Sequence, residues 1–195
     1  MLDDKKIKEL QKRISNYIAD GTIIRGESGR YVEFFLANAK DSLDSAKLLQ
    51  IASTQHDIQR VAGFQNFNGY LWVINSSYYS MFYMARALLE SSGIRIKTDL
   101  SIHALIFDAL IYYFYLNNKL QKRFVEDFVE AKHEVAELLG QEKAKELVND
   151  YFCEKKKRSD FTYEMGLFAI KTKAQTSLER AKRFNEEIRK MIELQ

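Results

Sequence analysis

Apolar residues recur at intervals of four and three through most of this chain, the spacing that lines one face of an α-helix. Val32, Leu36, Ala39, Leu43, Ala46 and Leu49 form such a stripe and predict an amphipathic helix over residues 31–52. Residues 53–69 hold Gly63, Asn66, Asn68 and Gly69 and read as a loop with a short turn of helix. Residues 70–91 are apolar almost all round, so this helix belongs at the centre of the fold. Its small residues Ser76, Ser77, Ser80 and Ala85 let neighbouring helices approach, and Gly93 is placed to cap its C-terminus. Asp99 or Ser101 caps the next helix, which runs to about Tyr115, before a break at Asn117-Asn118. A helix over residues 119–139 is expected to end at Gly140. Another follows over 141–165, with an irregularity between Cys153 and Ser159. In the last helix Ala174, Leu178, Ala181, Asn185, Ile188 and Ile192 nearly follow a heptad, with Phe184 beside the seam and the polar Asn185 placed to fix register.

No strand is expected. Thr22-Ile23-Ile24-Arg25 is extended in character but short and bordered by glycine. The fold class is therefore all-α, an antiparallel bundle of long helices with no sheet. Residues 1–30 read as an appended helical arm with a glycine-containing loop, and residues 31–195 as the bundle. The chain has no proline, so nothing forces a helix to stop through a missing N–H.

Composition narrows the function less than the fold. The net charge of +3 does not argue for nucleic acid, so any basic signal has to be local. Cys153 is the only cysteine, which excludes an intrachain disulfide and suits a reducing cytoplasm. The start, Met1-Leu2-Asp3-Asp4-Lys5-Lys6, has no apolar run behind it, which argues against a secretory signal. The most apolar stretch is broken by Asn75, Ser76, Ser77, Ser80 and Arg86, and reads as a buried helix rather than a membrane span.

The densest local chemistry lies at Lys155, Lys156, Lys157, Arg158, Asp160 and Tyr163. Four consecutive cations attract phosphate in a salt-dependent way. With Glu154 and Asp160 beside them, they equally form a solvated basic turn. Arg158 and Tyr163 are five apart, about 140° around an ideal helix, so they converge only across a break in the helix, through long side chains or with a partner. Glu130-x-x-His133 matches half of a carboxylate di-metal motif. The other half is missing, so no metal and no cofactor is expected. His103, at the start of a helix, is a weak catalytic candidate beside a capping or packing role.

Several segments in order resemble the HEPN domain family. Ser76-Ser77-Tyr78-Tyr79-Ser80-Met81-Phe82-Tyr83-Met84-Ala85-Arg86-Ala87-Leu88-Leu89, ending at Gly93, is similar to the family's YYAMFHAARALL…G helix. Lys97-Thr98 and then His103 resemble its K-T-H-S region. Arg158 to Tyr163 resembles the R-x-x-x-D-Y segment of one subgroup, with Thr162 in place of the aspartate and Asp160 as the nearest acid. The last helix has the family's A…L…A…F…I spacing, and the resemblance covers about residues 31–192.

The resemblance implies a helical binding protein that forms a homodimer and serves as partner to a minimal nucleotidyltransferase. The implied setting is a prokaryotic toxin–antitoxin-like system, with a nucleotide or RNA phosphate surface near Arg158. Many HEPN proteins are metal-independent ribonucleases with an R-x(4–6)-H motif. Here Arg95 precedes His103 by eight residues, Arg123 precedes His133 by ten, and Arg158 is followed by Tyr163. A phenol with an ordinary pKa of about 10 is a poor base near pH 7. The expectation leans away from an enzyme. The alternatives are a divergent ribonuclease using Arg158 with Tyr163 or His103, and a plain nucleic-acid-binding protein.

Overall fold

The computed structural model describes residues 4–26, 29–97, 101–151 and 160–194. At Asp4, over 139–151 and over 160–169 it describes helix backbone alone. Seven α-helices carry most of the described chain: α1 (Asp4–Ala19), α2 (Val32–Thr54), α3 (His56–Val61), α4 (Tyr70–Ser91), α5 (Ile102–Leu110), α6 (Lys122–Tyr151) and α7 (Asp160–Glu193). The all-helical bundle read from the sequence is the fold. Its strict lack of a sheet is corrected by a small antiparallel ribbon, in which β1 (Ile23–Arg25) pairs with β2 (Ile94–Ile96). Pattern alone did not reveal β1 because a three-residue strand is too short to display a period of two. It forms because β2 lies alongside to take its backbone hydrogen bonds.

Contacts divide the chain into two units, and α2, α4, α6 and α7 contribute residues to both. The first comprises Met1–Lys40, Ser80–Phe128 and Arg183–Gln195. Its core includes Met81, Met84, Leu88, Ile106, Leu110, Phe128 and Phe184, all buried. The Phe128 ring lies 5.7 Å from that of Phe184 and 5.8 Å from that of Phe107. Asn185 is buried here and donates from Nδ2 to Ser80 Oγ (2.6 Å), which in turn donates to the Ala39 carbonyl (2.7 Å). The polar residue in the α7 seam thus ties α7 to α4 and α4 to α2. The N-terminal stretch expected to be an appended arm packs into this unit. Leu10 and Ile14 of α1 are buried, and Arg13 reaches Asp108 of α5 with bonds of 2.8 and 3.1 Å.

The second unit comprises Asp41–Tyr79 and Val129–Lys182. Ala46, Tyr70, Val73, Ile74, Leu138, Ala174 and Leu178 form its core. Ser53 near the end of α2 meets Gly69 and Tyr70 at the start of α4, so the two helices run antiparallel. On α6 and α7, Lys173 meets Glu137, and Arg180 meets Glu134 and Glu130, so that pair is antiparallel too. The 53–69 connection contains α3, held by buried Gln59, whose Nε2 donates to the Ala52 and Phe67 carbonyls.

The helix ends differ from the expectation at several points. Gly140 does not end a helix, because α6 runs through it to Tyr151. A glycine weakens a helix interior by about 1 kcal/mol but still donates and accepts the ladder hydrogen bonds. Ser101 stands before α5 in a left-handed conformation, φ +55°, and its side chain makes no capping bond, while Asp99, the other expected cap, lies outside the described residues. The expected continuation to Tyr115 widens into a π-turn over Ile111–Tyr115, closed by Leu116 N–H donating to the Ile111 carbonyl. Tyr112-Tyr113-Phe114-Tyr115 are consecutive aromatics, and the wider turn accommodates burial of both Tyr113 and Phe114.

Candidate functional site

The first unit contains a cleft of about 410 Å³, within the range typical of small-ligand sites. Three local features build it. Gly29, at φ +107°, turns the chain into α2; Tyr31, just before the helix, and Phe34, in its first turn, are exposed while Phe35 is buried. The Phe34 and Phe35 rings meet edge to face at 5.4 Å. On the C-terminal half of α4, Phe82, Arg86 and Glu90 follow one another at four-residue spacing and so share a face. Gly93, at φ +70°, then ends α4 and reverses the chain into β2. The β2 strand places Ile94, Arg95 and Ile96 along the cleft, opposite Ile24 of β1, which pairs with Arg95. Gly26 N–H to the Gly93 carbonyl (3.0 Å) and Lys97 N–H to the Thr22 carbonyl (2.9 Å) extend the ladder at both ends.

Four cations line this cleft, Arg30, Arg86, Arg95 and Lys97, against one carboxylate among the described lining residues, Glu90. The Arg86 guanidinium sits 4.2 Å from the centre of the Phe35 ring and 5.9 Å from that of Phe82. Stacked this way, it is held in place by packing and keeps its charge. Glu90 is buried, and Arg95 Nε lies 3.2 Å from its carboxylate, which compensates the buried charge. Arg30 lies over the Tyr31 ring at 5.1 Å. Among the described residues, Arg30 and Lys97 make no ion pair. Phe34 is 59% and Tyr31 44% exposed, so two aromatic rings stand at the mouth of a positively charged, partly apolar hollow. Beside it, Arg25 of β1 lies 5.5 Å from the Tyr113 ring. Burial raises the Tyr113 hydroxyl pKa above its ordinary value, and the Arg25 charge partly offsets this. Such a set can stack a planar group and bind anionic oxygens.

The described lining of the cleft includes none of the residues singled out from the sequence. Lys155, Lys156, Lys157 and Arg158 fall outside the described residues. Asp160 and Tyr163 fall at the start of α7, where only the backbone is described. His103 stands in the first turn of α5 with its ring centre 4.3 Å from that of Phe82, a packing contact within the first unit. Glu130, half of the di-metal pattern, is bound to Arg180 at 2.8 Å, and His133 is exposed. Among the described residues no group of three His, Cys, Asp or Glu side chains is placed to hold a metal ion, and no helix is long and apolar enough to cross a membrane.

Sequence reasoning missed the cleft because its cations lie as far as 67 residues apart, from Arg30 to Lys97. One signal was present. Tyr31 and Phe34 fall off the apolar stripe of α2, and large rings on the polar side of a helix are candidates for contact with something outside the fold. The buried stripe itself begins at Phe35, and Val32 and Leu36 are only half-buried. No protein-family model, curated protein or solved structure matches this chain, so the HEPN resemblance rests on the residues quoted for it.

Proposed function

We propose that this protein is a non-enzymatic binding protein whose cleft takes a phosphate-bearing aromatic ligand, a nucleotide or a stretch of single-stranded RNA. The observation that carries the reading is the convergence of Arg30, Arg86, Arg95 and Lys97 on a hollow flanked by the exposed rings of Tyr31 and Phe34. The rings offer faces on which a base stacks, and the cations offer donors to phosphate. The described lining supplies charge and surface, and its carboxylate is engaged by Arg95. The catalytic alternative, in which Arg158 works with Tyr163 or His103, gains nothing from His103, which packs on Phe82.

The wider setting comes from the HEPN resemblance alone. It comprises a homodimer, a nucleotidyltransferase partner and a prokaryotic toxin–antitoxin-like pair. The cationic run at Lys155, Lys156, Lys157 and Arg158 belongs to the same reading on sequence grounds.

Calorimetric titration with ADP and with a short single-stranded RNA tests the proposal. Binding is expected to weaken as salt rises. Phe34→Ala is expected to lose about tenfold in affinity, the scale of one base–aromatic stack. Lys97→Ala is expected to weaken binding as well, with unchanged thermal melting for both variants, since each side chain is exposed. Absence of binding to either ligand, or variants that bind like the parent protein, overturns the reading.

A further inference from the structure

The cations of this molecule are not all treated alike. On the other helices many are matched by a carboxylate one turn away or across a helix pair: Lys47 with Asp44, Arg60 with Asp57, Lys122 with Glu126, Lys173 with Glu137, Lys182 with Glu179 and Lys190 with Glu187. Helix α1 departs from this. Its stretch Lys5-Lys6-Ile7-Lys8-Glu9-Leu10-Gln11-Lys12-Arg13 holds five cations and one acid. Arg13 is committed to Asp108. Lys5, Lys8 and Lys12 are exposed and, among the described residues, make no ion pair. They stand at i, i+3 and i+7, which places them in one stripe on the helix, opposite the buried Leu10 and Ile14. The stripe rises about 10 Å along the helix axis.

This stripe belongs to the same unit as the cleft and connects to it through the chain. The turn Asp20-Gly21-Thr22 leads from α1 into β1, fixed by Thr22 N–H donating to Asp20 Oδ1 at 2.9 Å and by Gly21 at φ +76°. β1 packs against α1, presents exposed Arg25, and lines the cleft through Ile24. Among the described residues, positive charge without a carboxylate partner therefore occurs on α1 at Lys5, Lys8 and Lys12, on β1 at Arg25 and at Arg30 and Lys97 of the cleft. Like charges left unneutralised on neighbouring elements repel one another, and a polyanion relieves that repulsion while releasing its own counterions. A second phosphate-binding surface outside the cleft serves a ligand with several phosphate-bearing units, which a strand has and a free nucleotide lacks.

We infer that the lysine stripe Lys5, Lys8 and Lys12 on the outer face of α1 is a second phosphate-binding surface that carries a single-stranded nucleic acid onward from the cleft, so the ligand is a strand rather than a free nucleotide. The inference rests on the reading of the cleft given above. Stacking at Tyr31 and Phe34 anchors one end. The lysines follow the backbone without reading bases, since ammonium groups on flexible stems act as point charges.

The test compares ADP with a single-stranded RNA of about twelve nucleotides, long enough to pass beyond one cleft. The triple variant Lys5→Glu/Lys8→Glu/Lys12→Glu is expected to lose at least about tenfold in RNA affinity and to bind ADP as the parent protein does. Its dependence of log affinity on log salt for RNA is expected to be shallower by about 2, from three lost contacts on a single strand. Phe34→Ala weakens both ligands. Unchanged RNA binding by the triple variant overturns the inference and leaves the cleft reading intact. Equal loss of ADP and RNA, with circular dichroism unchanged, also overturns it, because the lysines then act on the cleft as a whole. A parent protein that binds neither ligand overturns the cleft reading and the inference with it. If the charge reversal prevents folding, Lys5→Gln/Lys8→Gln/Lys12→Gln decides the same comparison.

Discussion

Asn185 is a polar residue in an otherwise apolar helix seam, and its partners give it a defined role. Its Nδ2 donates to Ser80 Oγ, while its Oδ1 is buried without a partner among the described residues. Ser80→Ala removes the acceptor and strands the whole amide. The expected cost is about 1–3 kcal/mol, the penalty of an unsatisfied buried polar group. Asn185→Leu removes the amide instead, and the Ser80 hydroxyl still donates to the Ala39 carbonyl. Its cost is expected to stay within about 1 kcal/mol, and the double variant is expected to be more stable than Ser80→Ala alone. Urea unfolding of the three variants measures this, and equal destabilisation of all three would contradict it. The sequence marked Asn185 through its place in the heptad. It did not mark Ser80 as the partner, because the two are 105 positions apart and only packing brings them together.

At the scale of elements, the α6–α7 pair in the second unit is clasped by one buried cation. Arg180, with 5% of its side chain exposed, donates to Glu134 at 2.9 Å and to Glu130 at 2.8 Å, and Ser177 donates to Glu134 as well. Removing the arginine leaves Glu134, 17% exposed, with the serine as its remaining partner among the described residues, while Glu130, 63% exposed, returns to water. Arg180→Leu is therefore expected to destabilise by about 2 kcal/mol, less than for a fully buried pair. Adding Glu134→Leu is expected to restore most of that. A double variant as unstable as the single one in a thermal melt would refute the account. Element boundaries were legible wherever side-chain period and punctuation agreed. Residues 70–91 were expected as a helix, and α4 occupies Tyr70–Ser91, closed by Gly93 in a left-handed conformation. They were misread where one residue was given too much weight. Gly140 carries no signal beyond its lower helix propensity, and Ser101, one of the two caps expected, has a left-handed backbone and makes no capping bond.

At the scale of the whole molecule, three tyrosine hydroxyls among the described residues have pKa values raised by burial: Tyr70, Tyr78 and Tyr113. Their ordinary value is about 10. A phenol with a raised folded-state pKa keeps its proton after the unfolded chain has begun to lose it. Its contribution is fully present below about pH 10 and is lost as pH rises toward the folded value. Stability is therefore expected to fall on the alkaline side of about pH 10. Tyr78, 4% exposed, contributes up to about 1.4 kcal/mol per pH unit. Tyr78→Phe is expected to flatten the slope of unfolding free energy against pH above 10, and an unchanged slope would contradict this assignment. The sequence by itself determined the helical class, the span of the central helix, the α7 seam and the local positive charge of single segments. Each of these depends on residues within a few turns of one another, so period and composition carry it. The tertiary structure decided what depends on distant residues: the β1–β2 ribbon, the buried chain from Asn185 through Ser80 to Ala39, and the gathering of Arg30, Arg86, Arg95 and Lys97 around one cleft. No local pattern encodes those meetings, because the free energy that enforces them comes from burying faces supplied by separate elements.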